Sequence, residues 1–299
     1  MATENQYDIQ NPLTQYPRPP FPRQPQEAPG SIEEMDPRPD HGETSYKGLG
    51  RMKGRKALIT GGDSGIGRAT AIAYAREGAT VAINYLDAES KDAQSLVDLI
   101  EGEGGTVIRL PGDLTDESFC EKLVADARNE MDGLDVIVIN AGKQVYTEDI
   151  LDITTEQFDQ TYKTNVYAMF WLSKAAIPHL PPGGSIINVT SIQGSKPSPG
   201  LVDYASTKWA IIGFTKALAK QLADKGIRVN AVAPGPFWTP LQPSGGQPQD
   251  KIEEFGSSVP FGRPGQPAEI APMFVFLATQ ESGYTTGEVF GSTGGNPTS

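Results

Sequence analysis

A chain of 299 residues, 37% of them hydrophobic, is long enough to bury one large core or two smaller ones. Its 25 basic against 37 acidic residues leave a net charge of −12, which disfavours nucleic acid and anionic membranes as partners. One cysteine, Cys120, excludes an internal disulfide, and two histidines far apart in sequence, His41 and His179, suggest no zinc cluster, so no metal is expected.

Residues 1–50 read as a proline-rich arm, holding nine of the 25 prolines. Tyr16-Pro17-Arg18-Pro19-Pro20-Phe21-Pro22 should be extended and cannot be helical. It is either a disordered tail or an arm lying on a neighbouring surface, anchored by Tyr16 and Phe21. From about residue 51 to 299 the pattern alternates strand and helix. Strands are expected at 56–59, 79–85, 106–110, 134–140, 185–190, 226–232 and 288–291. Helices are expected at 68–78, 92–101, 116–130, 156–180, 204–222 and 268–278, with Cys120 packed inside the third. Buried strands alternating with helices predict an α/β fold: one domain with a doubly wound, mostly parallel sheet of about seven strands. The ligand crevice of such a sheet lies at the carboxyl ends of its strands.

Three polar groups fall at that edge. Thr60-Gly61-Gly62-Asp63-Ser64-Gly65-Ile66-Gly67 joins the first strand to the first helix. Its glycines allow a sharp turn and close approach, and the helix start presents free N–H groups to a phosphate. Tyr204 and Lys208 stand at i and i+4, on one helix face, where a cation can ease ionisation of the phenol. Ser191 follows the fifth strand, at the rim of the same cleft. It lacks the nucleophile elbow and histidine partner of a hydrolase.

These motifs, with Asp113, Asn140-Ala141-Gly142, Asn165, and Pro234-Gly235 with Thr239, resemble the short-chain dehydrogenase/reductase family in order and separation, over about residues 53–299. The arm and the run from Asn230 to Pro240 are similar to a subgroup of general stress protein 39-like and glucose/ribitol dehydrogenase-like proteins, some described as aldehyde reductases. The resemblance implies a Rossmann-like fold and an NAD(P)-dependent enzyme moving hydride between the nicotinamide and a carbonyl or alcohol of the aldehyde, sugar or polyol class.

It also implies roles. Gly61, Ser64, Gly65, Ile66 and Gly67 would wrap the pyrophosphate, and Asp113 and Leu114 would border the adenine. Asn140, Ala141 and Gly142 would lie beside the ribose. Tyr204 would be the acid/base, Lys208 would lower its pKa and hold the nicotinamide ribose, and Ser191 would orient the substrate oxygen. Asn165 would hold a water in a proton relay, and Pro234, Gly235 and Thr239 would contact the nicotinamide end. Strand bonding or capping is an equal reading for Asn140 and Asn165.

Asn84 and Tyr85, at the end of the second strand, supply neither the acid expected for NAD nor the arginine expected for NADP. Asp87 and Glu89 slightly disfavour an extra phosphate, and the choice stays open. The alternative to an enzyme is a non-catalytic dinucleotide-binding or sensing protein, which would need no acid/base set. Residues 234–267 break the rhythm and read as a substrate lid, with Ile252 and Phe255 on one face of a short helix over the nicotinamide. A homo-oligomer, a tetramer by resemblance, is expected from apolar residues such as Tyr167, Phe170, Trp171, Trp209 and Phe214 on the long helices. No apolar run approaches membrane-spanning length, and the start lacks a signal peptide's basic and apolar regions, so a cytoplasmic protein is expected.

Overall fold

The seven apolar runs read as strands in the sequence each become a strand. The computed structural model describes residues 5–298. It contains β1 (Lys56–Thr60), β2 (Thr80–Tyr85), β3 (Thr106–Pro111), β4 (Val136–Ile139), β5 (Ser185–Val189), β6 (Arg228–Pro234) and β7 (Val289–Ser292). All seven pair in parallel, in the order β3-β2-β1-β4-β5-β6-β7. Register puts Leu58 between Ala82 and Ile137, so the apolar centres of the inner strands lie side by side. The chain runs outward from β1 to β3, then returns to start β4 on the other flank of β1. The crevice of a doubly wound sheet opens at that reversal.

Helices cover both faces. On one, α1 (Gly65–Arg76), α2 (Ser90–Gly102) and α8 (Pro267–Ala278) bury Ile72, Leu96, Phe274 and their neighbours. On the other, α3 (Glu117–Glu130), α5 (Ala168–Ala176) and α6 (Val202–Leu222) bury Leu123, Leu172 and Ile211. Cys120 packs in this second layer, its thiol donating to the Leu114 carbonyl at 3.3 Å, and burial pushes it up to about 12. At pH 7 it is a neutral packing residue.

The single helix expected over 156–180 is three pieces: α4 (Thr155–Tyr162), a π-helical segment (Lys163–Tyr167), and α5, which ends at Ala176. The wider turn falls on Asn165, whose side chain bonds outside the helix. Such bulges often mark functional sites.

The arm lies along the sheet domain. Tyr46 and Arg51 close on the buried Glu77 carboxylate at the end of α1. Tyr16 donates to Asp40 at 2.7 Å, with the Arg263 guanidinium 5.2 Å from its ring. Phe21 is buried against Trp238, ring centres 4.4 Å apart, in a cluster with Met35, Ile252 and Phe255. Tyr16 and Phe21 thus occupy surfaces of the sheet domain. The cluster also corrects the expected lid geometry: the apolar face of the short helix α7 (Gln249–Glu253) is taken by the arm. Ile252 is fully buried there, and of the pair only Phe255 also reaches the cleft wall. Proximity in sequence to the sixth strand could not reveal a partner more than 200 residues away. No helix among the described residues is long and apolar enough to cross a membrane.

Candidate active site

One cavity of about 860 Å³ opens at the carboxyl edge of the sheet. That is the size of a cofactor cleft. Its floor is the turn between β1 and α1. Gly65 has φ +50°, and a Cβ on Gly67 would lie 1.9 Å from the Gly61 carbonyl oxygen, so only glycine permits this close crossing of helix start and turn. Ser64 caps α1 with its hydroxyl not spent on the helix, and no acidic side chain stands in the first turn. The free N–H groups of α1 are therefore left for an anion. Thr60 stiffens the turn from behind, its Oγ1 accepting from the Asn140 and Ala141 N–H groups at 3.0 and 3.1 Å.

Most residues singled out in the sequence line this cavity: Gly61, Ser64, Gly65, Ile66, Asn84, Tyr85, Asp113, Leu114, Asn140, Ala141, Gly142, Ser191, Tyr204, Lys208, Pro234, Gly235 and Thr239. Gly67 does not; it serves the packing just described. The amide of Asn140 donates to the Thr60 and Gly61 carbonyls, both at 3.0 Å, so it braces the ends of β1 and β4. The Asn84 amide donates to Leu110 and Gly112, both at 3.1 Å. It stitches β2 to β3, which leaves it no donor for a ligand.

At the other end stand Ser191, Tyr204 and Lys208, all buried. Ser191 accepts from the Gln193 N–H at 3.1 Å and caps a short turn after β5. Asp203, fully buried, fixes the start of α6 by accepting from the Tyr204 N–H and from Thr161 of α4. Lys208 donates to the Val189 carbonyl at 2.9 Å, and its Nζ lies 5.3 Å from the centre of the Tyr204 ring.

Burial pushes the Tyr204 phenol up to about 12, with Ser191 hydrogen bonding pulling the other way, and burial brings Lys208 down to about 7. In this cleft, withdrawal from water sets both shifts. Both groups have lost water, and neither has gained a counter-ion.

Asn165 also departs from its expected place, since it does not line the cavity. Its Oδ1 accepts from the Lys143 N–H at 2.7 Å, while its Nδ2 donates to the Lys143 carbonyl and to Thr207 Oγ1. Thr207 lies between Tyr204 and Lys208 on α6, so Asn165 ties the loop after β4 to the Tyr204 helix from behind.

Sequence reasoning passed over Asp63, Lys143, Gln144 and Gln193, which also line the cavity, as does Glu89. Asp63 sat unremarked inside the glycine motif, and Lys143 directly follows Asn140-Ala141-Gly142. The segment after β6 roofs the cleft: Gly245 accepts from the Tyr146 N–H at 2.9 Å and Gly246 from Gln144 at 2.6 Å. No group of His, Cys, Asp and Glu suited to a metal occurs among the described residues.

Comparison with known proteins agrees with this geometry. A family profile described as enoyl-(acyl carrier protein) reductase matches residues 61–296. The uncharacterized oxidoreductase YhxD of Bacillus subtilis (strain 168) is 56% identical over 97% of this chain and 98% of its own. General stress protein 39 of the same organism is 49% identical over 90% and 93%. NADPH-dependent aldehyde reductase 1, chloroplastic, of Arabidopsis thaliana is 42% identical over 89% and 94%. Among solved structures, a short-chain dehydrogenase from Burkholderia cenocepacia J2315 in complex with NADP superposes with a TM-score of 0.77 at 33% identity, over 82% of this chain and 98% of that one.

Proposed function

The chain belongs to the short-chain dehydrogenase/reductase family, and from that premise we propose that it is an NAD(P)-dependent oxidoreductase interconverting carbonyls and alcohols of the aldehyde, sugar or polyol class. One observation carries the reading: the glycine turn and the set Ser191, Tyr204 and Lys208 sit at opposite ends of one cavity.

The residues fit a dinucleotide. The N–H groups at the start of α1, with Ser64, would hold the pyrophosphate, Asp113 and Leu114 the adenine, Ala141 and Gly142 the central ribose, and Pro234, Gly235 and Thr239 the nicotinamide end. When bound, the nicotinamide supplies or accepts hydride at its C4. The protein's part is the proton. Ser191 orients the substrate oxygen, and Tyr204 gives it a proton in reduction or takes one in oxidation. Lys208, when charged, lowers the cost of the phenolate left behind. Asn165 positions this set through Lys143 and Thr207. Phe237, Leu241 and Phe255 wall the cavity against water.

We place the protein in the cytoplasm as a homo-oligomer, a tetramer by family resemblance. The test follows absorbance at the reduced-nicotinamide band with NADH or NADPH and a panel of aldehydes, sugars and polyols. Turnover on at least one is expected. Tight dinucleotide binding without turnover on any would favour the sensing reading.

A further inference from the structure

The glycine turn carries a carboxylate with one oxygen left unpartnered. Asp63 is buried, lines the cavity, and its Oδ2 meets no donor. It stands where the turn faces the end of β2, the side of the cleft that would receive the adenosine half of a dinucleotide. Glu89, at the start of α2, lines the same end. Its Oε2 takes the Leu86 N–H at 2.8 Å, and Asp92 takes the Ile32 N–H from the arm at 2.9 Å. Carboxylates of the chain itself therefore consume N–H groups that could have met an added anion.

The cations are elsewhere. Among the described residues, those lining the cavity are Lys143, Lys196, Lys208 and Lys251, all from the half of the fold after β4. Arg68 is near in sequence but does not line the cavity. Its guanidinium is buried and spent on the Asp92 carbonyl, Ser95, Glu43 and, at 3.4 Å, the Asp63 carbonyl.

Resting on the oxidoreductase reading, we propose that Asp63 and Glu89 are specificity-determining residues: they accept from the adenosine ribose hydroxyls and turn away a 2′-phosphate, so that this chain uses NAD(H) in preference to NADP(H). The ribose diol supplies the donors that Asp63 lacks. A 2′-phosphate would bring charge to an end of the cavity lined by two acidic side chains and, among the described residues, by no cation, and like charges set side by side are unfavourable. The NADP-bound neighbour and the NADPH-named relative are 33% and 42% identical to this chain, which leaves room for a different choice here.

The experiment titrates the full-length protein with NADH and with NADPH by isothermal calorimetry, for the parent, Asp63→Asn, Glu89→Gln and the double variant. Thermal unfolding accompanies each titration to establish that the variant is folded. The parent is expected to bind NADH at least about tenfold more tightly. Each single variant should narrow that ratio severalfold, chiefly by tighter NADPH binding, and the half-exposed Glu89 supplies a readable variant should Asp63→Asn not fold. Equal binding of both dinucleotides by the parent, or a ratio that folded variants leave unchanged, overturns the assignment while the oxidoreductase reading stands. Binding of neither dinucleotide removes both.

Discussion

Lys208 donates its hydrogen bond to the Val189 carbonyl, and its Nζ stands 5.3 Å from the centre of the Tyr204 ring. The two groups share one dry compartment. Withdrawal from water disfavours each charged form, so the phenol rises to about 12 and the ammonium falls to about 7. The lysine, not the tyrosine, titrates near neutrality.

A pH profile reads this directly. Proton donation by Tyr204 leaves a phenolate, which Lys208 stabilises only while charged. Below its pKa of about 7 the lysine holds its proton, and above it the charge is lost. In the reductive direction, kcat/KM for the cofactor, which reports groups of the free enzyme, should fall as pH rises through that region. A profile flat from about pH 6 to 9 would remove Lys208 from this role.

Tyr204→Phe keeps the ring and removes the proton donor. Turnover should fall by ~10²–10⁴-fold, the usual share of general acid/base catalysis, while the cofactor Kd changes only a few-fold. Rates close to those of the parent would show that another group transfers the proton.

Lys208 should also cost stability. Its folded pKa, about 7, lies below the ordinary lysine value of 10.5, so between the two the unfolded chain binds more protons. Stability then rises with pH across that window, and the cost is full below it. Lys208→Met should raise stability near pH 7 by ~1–2 kcal/mol, after ~1 kcal/mol lost at the unpaired Val189 carbonyl, and abolish most activity. The gain should vanish above about pH 10.5. Thermal unfolding at both pH values checks it; a lower Tm at neutral pH is the contrary result.

The sheet was legible because buried parallel strands such as Val136-Ile137-Val138-Ile139 are continuous apolar runs. The cleft followed, because topology alone gathers the strand ends. What stayed hidden depends on distant partners. Nothing in the periodicity of 156–180 marks a π turn, and the bonds Asn165 makes there to Lys143 reach a partner 22 residues away. Asn84 lines the cavity as expected, but the engagement of its amide with Leu110 and Gly112 was not visible because it depends on pairing with β3. The apolar face at Ile252 and Phe255 was visible, but not that Phe21 and Met35 would cover it.

The outward faces of α4 to α6 bear on oligomeric state. Phe158, Tyr167, Phe170 and Trp209 are exposed, Trp209 at 62%, whereas Trp171 and Phe214 are partly buried against the core. If a second copy covers this face, Trp209→Glu should shift the protein toward monomers at micromolar concentration, as seen by light scattering. A monomeric parent, or a variant with unchanged mass, would count against this interface.

The arm is expected to fasten the cleft as well as the surface. Its backbone bonds to Glu253 and Pro243 after β6, passes Ala28, Pro29 and Gly30 along the cavity wall, and reaches Asp92 at α2 through the Ile32 N–H. It therefore joins the two sides of the cleft mouth, and Phe21 packed on Trp238 is an apolar contact of that span. Phe21→Ala removes a buried ring, and such truncations cost ~3–5 kcal/mol. Here the loss should fall first on docking of the arm rather than on the sheet core, because the cluster with Met35, Trp238, Ile252 and Phe255 is separate from the two main layers. Two measurements follow. Limited proteolysis should cut Phe21→Ala within residues 5–50 under conditions that spare the parent. The same variant should bind the dinucleotide several-fold more weakly, because Ala28 to Gly30 would no longer be held against the cavity. Faster cleavage with unchanged cofactor affinity would reduce the arm to a stabilising wrap, and equal cleavage would show that Phe21 does not anchor it.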